Sequence, residues 1–83
     1  MTMLEMAMRA AVEHLERGPM TCSNLGSLLW GTQFRKPQSY ARPAGRVLRA
    51  LERLGYVRTY FDDFNRHFMW EPTHQGRSWR RKS

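Results

Sequence analysis

Apolar residues recur at helical spacing in the first stretch of the chain. Thr2 and Glu5 form a capping box at its start, and Gly18 and Pro19 end it. The pattern predicts a first helix whose core-facing residues are Leu4, Ala7, Met8, Ala11, Val12 and Leu15.

A second, shorter apolar pattern follows. Thr21 is a suitable N-cap for a helix that reaches about Trp30. We expect this helix to turn three side chains inward, those of Leu25, Leu28 and Leu29. The segment 31–41 then reads as a long loop, which in a small domain is often functional.

The third pattern separates arginines from apolar residues. Arg42, Arg46, Arg49 and Arg53 recur at spacings of four, three and four, which places them on one stripe of a helix. The opposite side carries Ala44, Val47, Leu48, Leu51 and Leu54. With Pro43 in its first turn and Gly55 as its C-cap, a third helix is predicted near residues 42–54.

After Gly55 the apolar period changes to that of a β-hairpin. Residues 56–61 and 66–70 are rich in β-branched and aromatic side chains, and residues 62–65 are turn-like. Pro72 is expected to end the second strand because it cannot donate to a ladder. The aromatic residues of the hairpin are Tyr56, Tyr60, Phe61, Phe68 and Trp70. Most of them are expected to fill the core beneath the hairpin. Tyr60, and Trp79 further along the chain, are expected to be more exposed.

The length and charge place these elements in one basic domain. Residues 1–77 of the 83 are predicted to form the domain, and residues 78–83 to form a basic C-terminal tail. The net charge is +7, but residues 1–30 have a balance of −1 and residues 31–83 a balance of +8. A positive field concentrated beside the arginine stripe is typical of a nucleic-acid binder, although a membrane surface or an acidic partner would also suit the total.

Other chemistry has little support in the sequence. Cys22 is the only cysteine and has no ligand spacing with a histidine, so we expect no disulfide, metal or cofactor. An enzyme would have to use Asp62 with Asp63, or Cys22 with His14, and turn or bystander roles explain these residues better. With no apolar run of membrane-spanning length and no signal peptide, a cytoplasmic location is the default expectation.

The order of elements and three local segments resemble a winged helix-turn-helix domain. These segments are GPMTCSNLGSLLW (18–30), RVLRALERLGYVR (46–58) and WEPTHQGR (70–77), the last resembling MarR- and PadR-like bacterial regulators. Pro72 stands where those proteins commonly have leucine. The resemblance implies an α+β fold in which a three-helix helix-turn-helix core is followed by a two-stranded β-hairpin wing.

The same resemblance implies a DNA-binding transcriptional regulator, such as a repressor, of bacterial or phage type. Its third helix would enter the major groove of double-stranded DNA, and its wing would touch the backbone or minor groove. The candidate contacts before and along this helix are Arg35, Lys36, Ser39, Tyr40, Arg42, Arg46 and Arg49. Those of the wing are Arg58, Asn65, Arg66 and His67.

Two further hypotheses concern protein partners. A small basic domain can instead be a protein-interaction module or an inhibitor that uses the winged-helix surface. Met3 and Met6 lie on the charged side of the first helix, away from its apolar stripe. Their position suggests a homodimer or another partner contact through that helix.

Overall fold

In the part of the chain that the structure describes, four helices and one antiparallel hairpin form an α+β arrangement that is compatible with a winged-helix-like layout. The computed structural model describes residues 2–31 and 38–82, with the side chains of 38–42 outside the description. Its elements are α1 (Met3–Glu16), α2 (Cys22–Trp30), α3 (Gln38–Arg53), β1 (Val57–Asp62), β2 (His67–Pro72) and α4 (His74–Arg81). The predicted order of three helices before a hairpin is confirmed, and α4 was not predicted.

Threonine caps begin the first two helices as predicted. The Thr2 hydroxyl accepts a hydrogen bond from the Glu5 amide at 3.1 Å, and the Thr21 hydroxyl accepts one from the Asn24 amide at 3.2 Å. Each cap satisfies an amide that has no partner within its own helix.

The core lies where α1, α2 and α3 meet the start of β1. Its buried apolar residues are Met8, Ala11, Val12, Leu15, Leu25, Ala44, Val47, Leu48, Leu51 and Val57. The predicted inward positions of Leu4, Leu28 and Leu54 are wrong, since these side chains are 50%, 53% and 51% exposed. Leu4 and Leu54 lie at helix ends beyond this small core, and α2 buries only Leu25 and Gly26.

The start of α3 differs from the prediction. The helix begins at Gln38, so residues 38–41 belong to α3 and Pro43 lies inside the helix rather than in its first turn. Proline here gives up only the bond to the carbonyl four residues earlier, close to the helix end. The rest of the predicted loop, residues 32–37, lies outside the described residues.

Gly55 ends α3 and directs the chain into β1, as predicted. It has a φ of 78°, which a side-chain-bearing residue seldom adopts. The Gly55 amide bonds the Glu52 carbonyl at 3.0 Å and the Tyr56 amide bonds the Leu51 carbonyl at 2.9 Å. These two bonds make a Schellman motif, which fixes the angle between α3 and the hairpin.

The hairpin has a regular register from Val57 opposite Pro72 to Asp62 opposite His67. At the turn, the Asp62 carboxylate accepts bonds from the amides of Phe64 and Asn65, and from the Asn65 side chain. These bonds hold the pKa of Asp62 below its ordinary value. The turn lies one residue later than predicted, at residues 63–66, because Asp62 still pairs with His67 in the ladder and Arg66 belongs to the turn rather than to the second strand. The end of the second strand at Pro72 is confirmed.

The segment expected as a basic tail is largely helical. Residues 78–81 belong to α4, whose N-cap is Thr73. The Thr73 hydroxyl accepts a bond from the Gly76 amide at 3.0 Å and donates one to the Gly55 carbonyl at 2.6 Å. One side chain therefore joins the start of α4 to the end of α3.

Aromatic stacking holds α4 against the body of the protein. The rings of Trp79 and Tyr56 stack with centroids 4.7 Å apart, and the Arg9 guanidinium lies 4.6 Å from the Trp79 ring. Trp79 is consequently half-buried, which corrects the prediction that it is exposed. The helical pattern could not predict this burial, because Trp79 is the only large apolar residue among the polar and basic residues of α4.

Candidate nucleic-acid interface

The arginine stripe, defined as Arg42, Arg46, Arg49 and Arg53, runs along α3. Arg46, Arg49 and Arg53 are exposed, whereas the apolar side of the same helix is buried in the core. Arg42 lies in the helical backbone of α3, which preserves its spacing, but its side chain lies outside the described residues. The predicted separation of an apolar face from an arginine face is confirmed for the described side chains.

The exposed arginines of the stripe are not neutralised by acids of the described part of the chain. The ion pairs found within residues 2–31 and 38–82 are Arg58 with Glu71 and Arg80 with Glu16. Arg46, Arg49 and Arg53 belong to neither pair. Their guanidinium groups can therefore meet an external polyanion without first breaking an ion pair to a described residue.

Arg49 also influences the cysteine on the neighbouring helix. Burial raises the pKa of the Cys22 thiol, and the positive charge of Arg49 opposes that rise. Cys22 faces α3 near Gly45, where a β-carbon would come 3.8 Å from the cysteine sulfur. The raised pKa keeps the thiol protonated, which fits packing between α2 and α3 better than nucleophilic chemistry.

Four further candidate contacts lie before the stripe or at its start. Arg35 and Lys36 are outside the described residues. Ser39 and Tyr40 belong to the first turn of α3, and their side chains are outside the description. The structure therefore brings Ser39 and Tyr40 onto the same helix as the stripe, which the predicted loop had not done.

The predicted wing residues are exposed, but the hairpin as a whole is not basic. Arg58, Asn65, Arg66 and His67 all lie at the surface. The Arg58 guanidinium pairs across the strands with Glu71. The Asn65 amide donates to Asp62 within the turn. With His67 neutral, residues 57–72 have a charge balance of −1.

Arg66 adopts a backbone conformation that suits the turn. Its φ is 57°, in the left-handed region, and its amide bonds the Asp62 carbonyl at 2.7 Å. Of the two arginines in residues 57–72, Arg66 is the one that forms no ion pair with a described acid. Any electrostatic contact of the wing with phosphate therefore centres on Arg66.

One exposed aromatic residue of the wing was not predicted, and two others were predicted to be buried but are exposed. Phe64 is 94% exposed at the turn, and Phe61 and Phe68 are 47% and 61% exposed. The expectation that Phe61 and Phe68 fill the core is therefore wrong. Trp70 packs against the core, whereas Phe61 and Phe68 lie nearer the turn, beyond the core residues. An aromatic residue inside a predicted turn was the signal that could have identified Phe64.

Comparison with known proteins identifies no relative of this chain: no protein family, no curated protein and no solved structure matches it. Among the described residues, no helix has the length and apolar character needed to cross a membrane. The same residues contain no group of three or more metal-ligating side chains.

Proposed function

We propose that this protein is a winged helix-turn-helix regulator of transcription that binds double-stranded DNA through α3. The observation that carries the proposal is the exposed row of Arg46, Arg49 and Arg53 on the side of α3 away from its buried residues. A helix of this kind fits the major groove of B-form DNA, which is wide enough to admit it.

The residue type strengthens this interpretation. The planar guanidinium group can form two parallel hydrogen bonds with a phosphate or with the major-groove edge of guanine. A generic solvated helix face would mix lysine, arginine and glutamate. In the exposed row, every position at this helical spacing is instead an arginine, and Glu52 lies beside the row rather than within it.

In this proposal α3 supplies sequence recognition and the wing has a supporting role. Arg66 and His67 contact the backbone, while Arg58 is partly occupied by Glu71. Asp62 and Asp63 oppose a close approach of the wing turn to phosphate. The wing is therefore assigned few phosphate contacts, and α3 most of them.

The second candidate function is a protein-interaction module. It is favoured by apolar side chains left in solvent, above all Phe64 at 94% and Met3 at 88% exposure. These side chains lie on the hairpin turn and α1, so a protein contact there does not require the arginine stripe.

Binding of the full chain to a library of random duplexes, followed by titration of the enriched sequence, tests the proposal. Affinity should fall as the salt concentration rises. A plot of the logarithm of the binding constant against the logarithm of the salt concentration should become steeper, by about −0.9 in slope for every phosphate contacted. The enriched duplex should be preferred over a scrambled duplex of equal composition. Absence of duplex binding at low salt would contradict the proposal and favour the protein-interaction module.

A further inference from the structure

The turn of the hairpin presents a rigid apolar projection, here called the wing knob and formed by Phe61, Phe64 and Phe68. Phe61 and Phe68 pack edge to face, with ring centroids 5.2 Å apart. Phe64 projects beyond them and is 94% exposed. The Asp62 carboxylate, at 3.0 Å from the Phe64 amide, fixes the backbone that carries this ring. An exposed aromatic ring on a fixed backbone loses little conformational entropy on binding.

An apolar groove of about 250 Å³ lies between α1 and α2. Met3 and Met6, 88% and 59% exposed, form its outer wall. Methionine side chains adapt easily to the shape of a partner. The groove, here called the α1–α2 groove, is lined by Met3, Met6, Ala7, Ala10, Leu29 and Trp30.

The groove and the knob match in size and polarity. A cavity of roughly 150 Å³ lined by apolar side chains is sufficient for a benzene ring. The α1–α2 groove therefore has room for one phenylalanine side chain, with methionines able to close over it. Since Phe64 is 94% exposed, it does not occupy the groove of its own chain.

The position of the groove also separates it from the wing. The groove uses the first half of α1, whereas the hairpin is joined to the chain beyond the other end of that helix. There, Met20 and Trp70 exchange backbone hydrogen bonds of 3.1 and 2.8 Å. A knob and a groove at separate places on one molecule make a contact between unlike surfaces, which two copies form once in a head-to-tail chain or twice in a closed reciprocal dimer.

We propose that Phe64 of one copy of this protein inserts into the α1–α2 groove of a second copy. Among the contacts that two copies can make with each other, charge opposes this one least. Two molecules of charge +7 repel one another, but residues 1–30 have a balance of −1, and the turn carries Asp62 and Asp63 against Arg66. The contact therefore joins the two least basic parts of the molecule.

The same charges argue against DNA as the occupant of either surface. Asp62 and Asp63 flank the knob and would meet phosphates at close range. The groove lies in the half of the chain with no net positive charge. The arginine stripe of α3 belongs to neither surface and stays free in the assembly.

The contact is weak between free molecules, because one ring in one groove buries far less than the ~1,600 Å² of a standard interface. On DNA, two molecules at neighbouring sites have a high effective concentration, which strengthens such a contact. The consequence for regulation, cooperative occupation of adjacent sites, rests on the proposed DNA-binding function. The contact itself does not.

Sedimentation of the full chain without DNA, from micromolar to millimolar concentration, tests the contact. The wild type should gain mass with concentration, and Phe64→Ser and Met6→Glu should each stay monomeric. An equimolar mixture of the two variants should form dimers and nothing larger, because one intact knob and one intact groove remain between them. Tyr60→Ser, on the other face of the hairpin, is the matched control and should associate like the wild type.

Thermal unfolding of each variant checks that it is folded; both altered side chains are mostly exposed, so the transitions should stay close to that of the wild type. A monomeric wild type at every concentration would overturn the proposal. Association of Phe64→Ser like the wild type would also overturn it. If Met6→Glu alone then stays monomeric, the contact joins the two grooves symmetrically. A mixture that stays monomeric would also overturn it. None of these results depends on DNA binding, so the two proposals fail separately.

Discussion

The guanidinium of Arg80 forms two hydrogen bonds with the carboxylate of Glu16, from Nε to Oε1 at 3.1 Å and from Nη2 to Oε2 at 2.8 Å. The two residues are 64 positions apart and join α4 to α1. Their side chains are 29% and 17% exposed. The C-terminal helix is therefore attached to the first helix through a two-point ion pair in addition to the Trp79 stack.

Removing the charge of Glu16 should loosen α4. We expect Glu16→Gln to lower the free energy of unfolding by about 1 kcal/mol, since the pair has ideal geometry but is partly open to solvent. Urea denaturation measures the change. Glu52→Gln, at an exposed position of α3 without an ion pair among the described residues, is the control and should change stability by less than about 0.5 kcal/mol. Equal effects of the two substitutions would exclude a stabilising role for the pair.

The contribution of Glu16 should depend on pH. Hydrogen bonding to Arg80 holds the pKa of Glu16 below its ordinary value of 4.5. Its stabilising effect is therefore complete above 4.5 and is lost as the pH falls through the lowered pKa. The stability difference between wild type and Glu16→Gln should be largest at neutral pH and should vanish in strong acid. A difference that is constant over this range would contradict the ion-pair explanation.

Two helical glycines should respond oppositely to alanine. A β-carbon at Gly76 would collide with the Tyr56 carbonyl oxygen, so Gly76→Ala should destabilise the protein by about 1–3 kcal/mol despite its better helix propensity. At Gly45 a β-carbon would meet the Cys22 sulfur at an ordinary 3.8 Å. Gly45→Ala should therefore be neutral or stabilise by up to about 1 kcal/mol. Urea denaturation of both variants checks the close approach of α4 to the backbone of Tyr56, immediately before β1.

Residues with a strong local signal were predictable from the sequence. Thr2, Thr21 and Gly55 cap helices through bonds within a few residues, and the predicted caps are confirmed. The stripe of α3 follows from spacing alone. These features depend on short-range geometry, which the order of residues determines.

Features that depend on distant partners were not predictable. α4 contains one large apolar residue, and its attachment needs Tyr56, Arg9 and Glu16 from other parts of the chain. The exposure of Phe61 and Phe68 depends on how far the core extends beneath the hairpin. Pro43 indicated a helix start, whereas the observed helix begins at Gln38 and tolerates the missing bond.

Charge-matched substitutions test the proposed recognition of DNA by the arginine stripe of α3. The measurement titrates wild type, Arg46→Ala, Arg49→Ala and Arg17→Ala against the enriched duplex and its scrambled form at two salt concentrations. Arg17 is the exposed C-cap residue of α1, so Arg17→Ala removes the same charge away from the stripe.

Arg46→Ala and Arg49→Ala should each lose about 1–3 kcal/mol of binding free energy on the enriched duplex and lose discrimination against the scrambled one. Arg17→Ala should bind nearly as the wild type does. All three should unfold like the wild type, because exposed side chains leave no cavity. Wild-type affinity retained by Arg46→Ala and Arg49→Ala, or an equal loss in Arg17→Ala, would contradict the assignment of α3 to the major groove.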